Sequence, residues 1–255
     1  MKYLIKQCDA NVHANDDYAL SSSAECGHFN TVKYLIEECN ANVHARYESA
    51  LKMSAQNGHL GIVKYLVEEC GANVHADDDY ALSLSAGRGH FNTVKYLIEE
   101  CNANVHARGE SAFQSSAVSG NLDMVKYLAE KCDADVHVYD ENALKLSAEN
   151  GHLSVVKYLV EQCGAYDESV FRTSAQNGHF DILKFLISHV IHEKRSYDLL
   201  YSYRNILSNE DKCNFIKMRR APGIIHRNVH NWVWSPICKD KTIGIVPRLE
   251  KIRFF

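Results

Sequence analysis

The chain has 255 residues, 46% of them apolar and 24% charged, with a formal net charge of −4. That composition supplies a sizeable core and excludes wholesale disorder, and no run approaches the roughly 20 apolar residues needed to span a bilayer. Residues 1–187 hold 15 Lys+Arg against 26 Asp+Glu (net −11), whereas residues 188–255 hold 13 against 6 (net +7). An acidic body followed by a basic tail points to contacts within the chain or with a charged partner.

The opening residues, MKYLIKQCDANVH, contain no signal-peptide apolar stretch. They begin a period instead. MKYL at Met1 is followed 31 residues on by VKYL at Val32, then at Val63, Val94, Val125 and Val156, and LKFL comes at Leu183 after only 27. In IVKYLVEEC, residues Val63, Leu66, Val67 and Cys70 sit at i, i+3, i+4 and i+7, which predicts a helix with one apolar face. Upstream of each copy except the first lies a second segment, such as ALKMSAQNGH (50–59), with its own helical spacing and a stop at Gly. That Gly suits the left-handed residue just beyond a helix C-terminus. Ser49, Ser111, Asn142 and Ser169 precede this segment as competent N-caps.

The connecting stretch, NANVHARYES and its relatives, is polar, and Val43, Val74, Val105 and Val136 mark a short extended piece within it. One unit is therefore helix, turn, helix and extended loop. No single unit closes a core, so the units must stack into an all-α solenoid over residues 1–187. The first unit is half a repeat, open to fraying, and four residues are missing between Cys163 and Phe171, where the last loop is clipped. Six of the nine cysteines (Cys8, Cys39, Cys70, Cys101, Cys132 and Cys163) fall at intervals of 31. Disulfide frameworks do not keep such a period, so these read as buried thiols in a reducing setting.

The pattern L-x-x-S-A-x-x-G-H-x-x-x-V-K-Y-L-x-E-x-C-x-A-N-V-H-A resembles the ankyrin repeat. The wording of SAENGHLSVVKYLVEQCGA (147–165) resembles arrays encoded by giant viruses of the mimivirus type. The resemblance implies an ankyrin-type α-solenoid without enzymatic activity or cofactor. It further implies a viral scaffold or adaptor in the host cytoplasm that binds a protein through finger tips and the groove face of its first helices. The period of 31 is two short of the family's, which implies a stunted β-hairpin finger. The family's first-helix His is replaced by Ser21, Lys52, Ser83, Gln114, Lys145 and Arg172. The recurrent His13, His44, His75, His106 and His137 take over the role of tying neighbouring fingers together.

The tips NDDY, RYES, DDDY, RGES, YDEN and YDES hold 11 acidic residues and two basic ones, an acidic ridge bearing tyrosines and suited to a basic protein partner. The candidate contacts are Asp16, Asp17, Tyr18, Arg46, Tyr47, Glu48, Asp78, Asp79, Tyr80, Arg108, Glu110, Tyr139, Asp140 and Glu141, with Arg88 from the groove. The groove column changes from repeat to repeat, from Glu25–Cys26 through Gly87–Arg88 to Gln176–Asn177. GHFNTVKYLIEECNANVHAR occurs at both 27–46 and 89–108, which marks a duplicated two-repeat block. Function is therefore sought where the copies differ: Glu25–Cys26 against Gly87–Arg88, Tyr47 against Gly109, and the unrepeated tail.

The basic tail, 188–255, holds all three prolines and both tryptophans, and YDLLYSYRNIL (197–207) reads as one more helix closing the stack. Cys213, His226, His230 and Cys238 are zinc-binding types, but no C-x2-C pair anchors them, so no metal site is assigned. Lys217, Arg219, Arg220 and Arg227 near Trp232 and Trp234 keep nucleic-acid binding by the tail as a disfavoured alternative. No G-x-x-x-x-G-K-[ST], G-x-G-x-x-G or G-x-S-x-G motif is present, and no catalytic residue is assigned. A monomer without membrane contact is expected, and a decaying paralogue with no partner stays open.

Overall fold

The computed structural model describes residues 11–192, with side chains through His189. The half repeat at residues 1–10 with Cys8, the closing helix at 197–207, and the zinc and basic clusters of the tail lie outside the described residues. The chain divides into two compact units, Met1–Ile182 and Leu183–Phe255.

Among the described residues there are twelve α-helices and no strand. First helices are α1 (Ala14–Glu25), α3 (Ala45–Gln56), α5 (Ala76–Gly87), α7 (Ala107–Val118), α9 (Val138–Glu149) and α11 (Ser169–Gln176). Each is followed by a second helix: α2 (Phe29–Glu37), α4 (Leu60–Lys64), α6 (Phe91–Glu99), α8 (Leu122–Lys131), α10 (Leu153–Glu161) and α12 (Phe180–His192). α4 continues as a π-helical turn over Tyr65–Glu69. From α1 to α11 each first helix packs on the next first helix, and from α1 to α10 each first helix packs on the second helix of its own repeat.

The repeat period writes the core. Leu20, Leu51, Leu82, Phe113, Leu144 and Phe171 occupy one slot of the first helices and are at most 1% exposed. Leu35, Leu66, Leu97, Leu128 and Leu159 answer them from the second helices and are fully buried. A Leu→Ala change in such a slot costs about 2–5 kcal/mol. Ala24, Ala55, Ala86, Ala117 and Ala148 are buried too, and their size lets adjoining helices approach. The serine before each of the last four alanines is also buried, but its hydroxyl donates to a carbonyl of its own helix, as Ser54 does to Leu51 at 2.9 Å.

First helices end at a glycine, as its position predicts. Gly27, Gly58, Gly89, Gly120, Gly151 and Gly178 have φ between 73 and 81°. The next residue's N–H donates back to the serine carbonyl five residues earlier at 2.8–3.0 Å, which closes the helix end. Second helices end differently. Asn40, Gly71, Asn102, Asp133 and Gly164 are left-handed, and the following alanine's N–H returns to a leucine carbonyl six residues back at 2.8–3.1 Å.

Two expectations are corrected here. There is no β-hairpin finger and no extended piece at Val43, Val74 or Val105; those valines are buried in a tight turn. Ser49, Ser111 and Asn142 are not N-caps, because the turn before them is itself wound, and Ser169 donates its N–H and hydroxyl to Asp167 instead of capping.

Candidate functional site

The turn before each first helix is built from the recurrent N-V-H-A. The Asn11, Asn42, Asn73 and Asn104 side chains accept the backbone N–H two residues on, each at 3.0 Å, and Asp135 does so for His137 at 2.9 Å. The histidine then reaches forward with Nδ1 to a carboxylate four residues on. The pairs are His13–Asp17 at 2.8 Å, His44–Glu48 at 2.6 Å, His75–Asp79 at 2.8 Å, His106–Glu110 at 2.5 Å and His137–Glu141 at 2.7 Å. Within the first turn of α1, α3, α5, α7 and α9, one residue past the histidine's neighbour, run three successive left-handed residues, with φ of 51–64° in all five. L-residues rarely adopt this conformation in series.

This geometry corrects part of the expected ridge. Asp17, Glu48, Asp79 and Glu110 are only 4–7% exposed, and Glu141 is half-buried. They face their own histidines, so they are frame residues and are removed from the contact surface. The histidine bond runs within one turn, not between neighbouring turns. A second set makes the links between repeats: His59 Nε2 meets Glu25 O at 2.9 Å, His152 meets Val118 O at 2.7 Å, and His179 meets Glu149 O at 2.9 Å.

Before the inward carboxylate, each turn carries two residues that vary between repeats, Asn15–Asp16, Arg46–Tyr47, Asp77–Asp78, Arg108–Gly109 and Tyr139–Asp140, and all of them except half-buried Gly109 are exposed. Tyr47 and Tyr139 are 77% and 66% exposed. Tyr18 lies under the Arg46 guanidinium at 5.9 Å, and half-buried Tyr80 lies under Arg108 at 4.8 Å. Lys52 pairs with Asp77 and Lys145 with Asp167, so among the described residues Asp16, Asp78, Asp140 and Glu168 are the turn-tip acids without an ion pair.

A cleft of about 470 Å³ opens among α3, α5, α7 and α9 on the face of the first helices. Arg88, Arg108 and Tyr139 line it, together with Gln56, Ser115 and Val118. Two glycines shape it. Gly87 occupies the slot held by Gln56 and Val118 in the adjoining repeats, and an added Cβ would meet the Ser115 Cβ at 3.1 Å, so the glycine lets α5 and α7 approach closely there. Gly109 gives its Cβ space to the Tyr139 side chain, whose ring would meet an added Cβ at 2.6 Å. Gln114 fixes the wall by donating to Gly109 O at 2.5 Å and accepting from Asn142.

The second-helix face is held by a ladder of side chains. Tyr65, Tyr96, Tyr127 and Tyr158 each donate to a glutamate of the preceding repeat (Glu37, Glu68, Glu99 and Glu130) at 2.9–3.2 Å. Burial, the neighbouring thiol and that glutamate push all four phenols up from their ordinary range. Burial also raises the thiols of Cys70, Cys101, Cys132 and Cys163, so they stay protonated and are poor nucleophiles. These cysteines are half-buried, not buried as their period suggested, and those of the described residues are free.

Among the described residues no three His, Cys, Asp or Glu side chains converge to hold a metal, and no helix is long and apolar enough to cross a membrane. No curated protein matches the chain. A solved structure of an ankyrin repeat family protein from Legionella pneumophila is similar at 19% identity and a TM-score of 0.39, over 92% of this chain and 72% of that one. A family model described as "Ankyrin repeats (3 copies)" matches residues 1–78, 73–140 and 132–198. The period, the paired helices and this match together place the chain in the ankyrin repeat family.

Proposed function

We propose that this chain is a scaffold that grips a protein partner with its left-handed turns and the first-helix face behind them. Ankyrin repeats generally mediate protein–protein interaction, and the family and its fold are typically non-enzymatic scaffolds. One observation carries the reading furthest. Of the places where the duplicated blocks differ, Gly87–Arg88 and Gly109 both shape the cleft.

The turns support the same reading. Asn, His and the inward carboxylate hold a fixed frame, and the frame displays two variable residues per repeat at no further ordering cost on binding. Tyr18, Arg46, Tyr47, Tyr80, Arg108 and Tyr139 supply aromatic and guanidinium contacts of the kind enriched in interfaces. Asp16, Asp78 and Asp140 remain for a basic flank of the partner, where charge mainly speeds capture. The wording of the repeats, with its likeness to giant-virus arrays, supports a host protein as that partner.

Affinity capture from cell lysate with the full chain tests the scaffold. A Tyr47→Ala, Tyr139→Ala variant is expected to lose the captured protein, and a Lys64→Ala, Glu100→Gln control on the second-helix side to keep it. Equal capture by both variants would reject this face as the binding surface.

A further inference from the structure

Residues 1–187 carry a net charge of −11, yet no aspartate or glutamate lines the cleft between α5 and α7. It holds Arg88 and Arg108 instead. In the column running Cys26, Asn57, Arg88, Ser119, Asn150 and Asn177, only Arg88 is charged. Its guanidinium is exposed and makes no hydrogen bond or ion pair among the described residues. Arg108 uses one Nη1 on Asp77 O at 3.4 Å and lays its plane on Tyr80, which leaves other N–H donors of its five open. Leu84, Val118, Leu146 and Tyr139 supply apolar wall beside these donors.

From this juxtaposition we infer that the cleft takes an acidic side chain of the partner, flanked by an apolar one. The inference rests on the scaffold reading and names the chemistry of the part that enters the cleft. Both arginines line the cleft with no carboxylate beside them, and each guanidinium is a fork of donors that matches a carboxylate in plane and charge. Gly87 lines the cleft without a side chain, where the other repeats carry Glu25, Gln56, Val118, Glu149 or Gln176, so nothing at this position competes with that carboxylate. The apolar wall receives the adjoining side chain and shields the pair from water, which strengthens it. An array otherwise acidic would repel such a segment everywhere else, so the site selects its register as well as its sign.

Fluorescence anisotropy with the full chain and a panel of labelled peptides tests this. Glu, Gln or Lys alternates with Leu and Phe in the panel, and a single-stranded oligonucleotide is added as an anionic competitor class. The Glu peptides are expected to bind, the Gln peptides about tenfold more weakly, and the Lys peptides not at this site. Arg88→Glu is expected to remove Glu-peptide binding and leave the thermal melt unchanged. Gly87→Gln, which keeps both arginines but adds to the cleft the side chain found at position 56, is expected to weaken it about tenfold. Binding that ignores peptide charge and Arg88→Glu would overturn the acidic anchor and leave the scaffold standing. So would peptides that fail to bind while lysate capture succeeds. Tighter binding of the oligonucleotide than of the Glu peptides would also overturn it. Loss of both peptide binding and capture would overturn the scaffold as well.

Discussion

His106 and Glu110 show how much one hydrogen bond is asked to hold. They bracket Arg108, Gly109 and Glu110, all left-handed. A residue with a Cβ in that conformation costs about 1–2 kcal/mol, less for glycine. A hydrogen bond to a charged group returns about 1.5–3 kcal/mol, and the Asn104 bond to the His106 N–H at 3.0 Å adds to it. Glu110 makes the bond with one oxygen and buries the other, Oε2, without a partner, as Glu48 does; Asp17 and Asp79 leave no such orphan. His106→Ala is therefore expected to lower stability by about 1–3 kcal/mol in urea unfolding. Glu110→Asp, copying Asp79, should stay within about 0.5 kcal/mol of the parent. Parent-like stability in His106→Ala would show that the turn is held by other contacts. The sequence displayed N-V-H-A and the acid four residues on, but nothing in propensity distinguishes this wound turn from an extended loop. The expectation of outward acids failed at Asp17, Glu48, Asp79, Glu110 and Glu141 for that reason.

At the scale of the helix, closure by glycine was legible and the reason for its rigour was not. Gly58 is needed for φ of 73°, and also because the His90 ring of the next repeat lies where its Cβ would go, at 2.4 Å. Gly61, one turn later in α4, has nothing within 4 Å of an added Cβ. Gly58→Ala should lower stability by more than about 1 kcal/mol, whereas Gly61→Ala should raise it by about 0.4–1 kcal/mol. Adding His90→Ala to Gly58→Ala should recover the part due to collision and leave the part due to φ. If Gly58→Ala and Gly61→Ala behave alike in a thermal melt, the close approach of successive repeats is wrong. The second helices were read from Val, Leu and Cys at helical spacing. Their ends were not, because the left-handed Asn40, Asn102 and Asp133 carry side chains that only local hydrogen bonding reconciles with positive φ.

For the molecule, the 31-residue period made the stacking legible, since Leu20 through Phe171 and Leu35 through Leu159 each occupy one buried slot. Function was legible only as contrast. Glu25–Cys26 against Gly87–Arg88 is a difference at two positions, and its meaning as a missing side chain beside a guanidinium on the cleft wall needs α5 and α7 in place. The acidic total of the tips was a poorer guide, because composition does not record which carboxylates turn inward. Binding by the first-helix face is read directly by amide hydrogen exchange. With the full chain saturated by its captured partner, exchange is expected to slow in residues 76–88, 107–119 and 138–149 and to stay unchanged in 60–69, 91–99 and 122–131. Slowing confined to the latter three segments would contradict it.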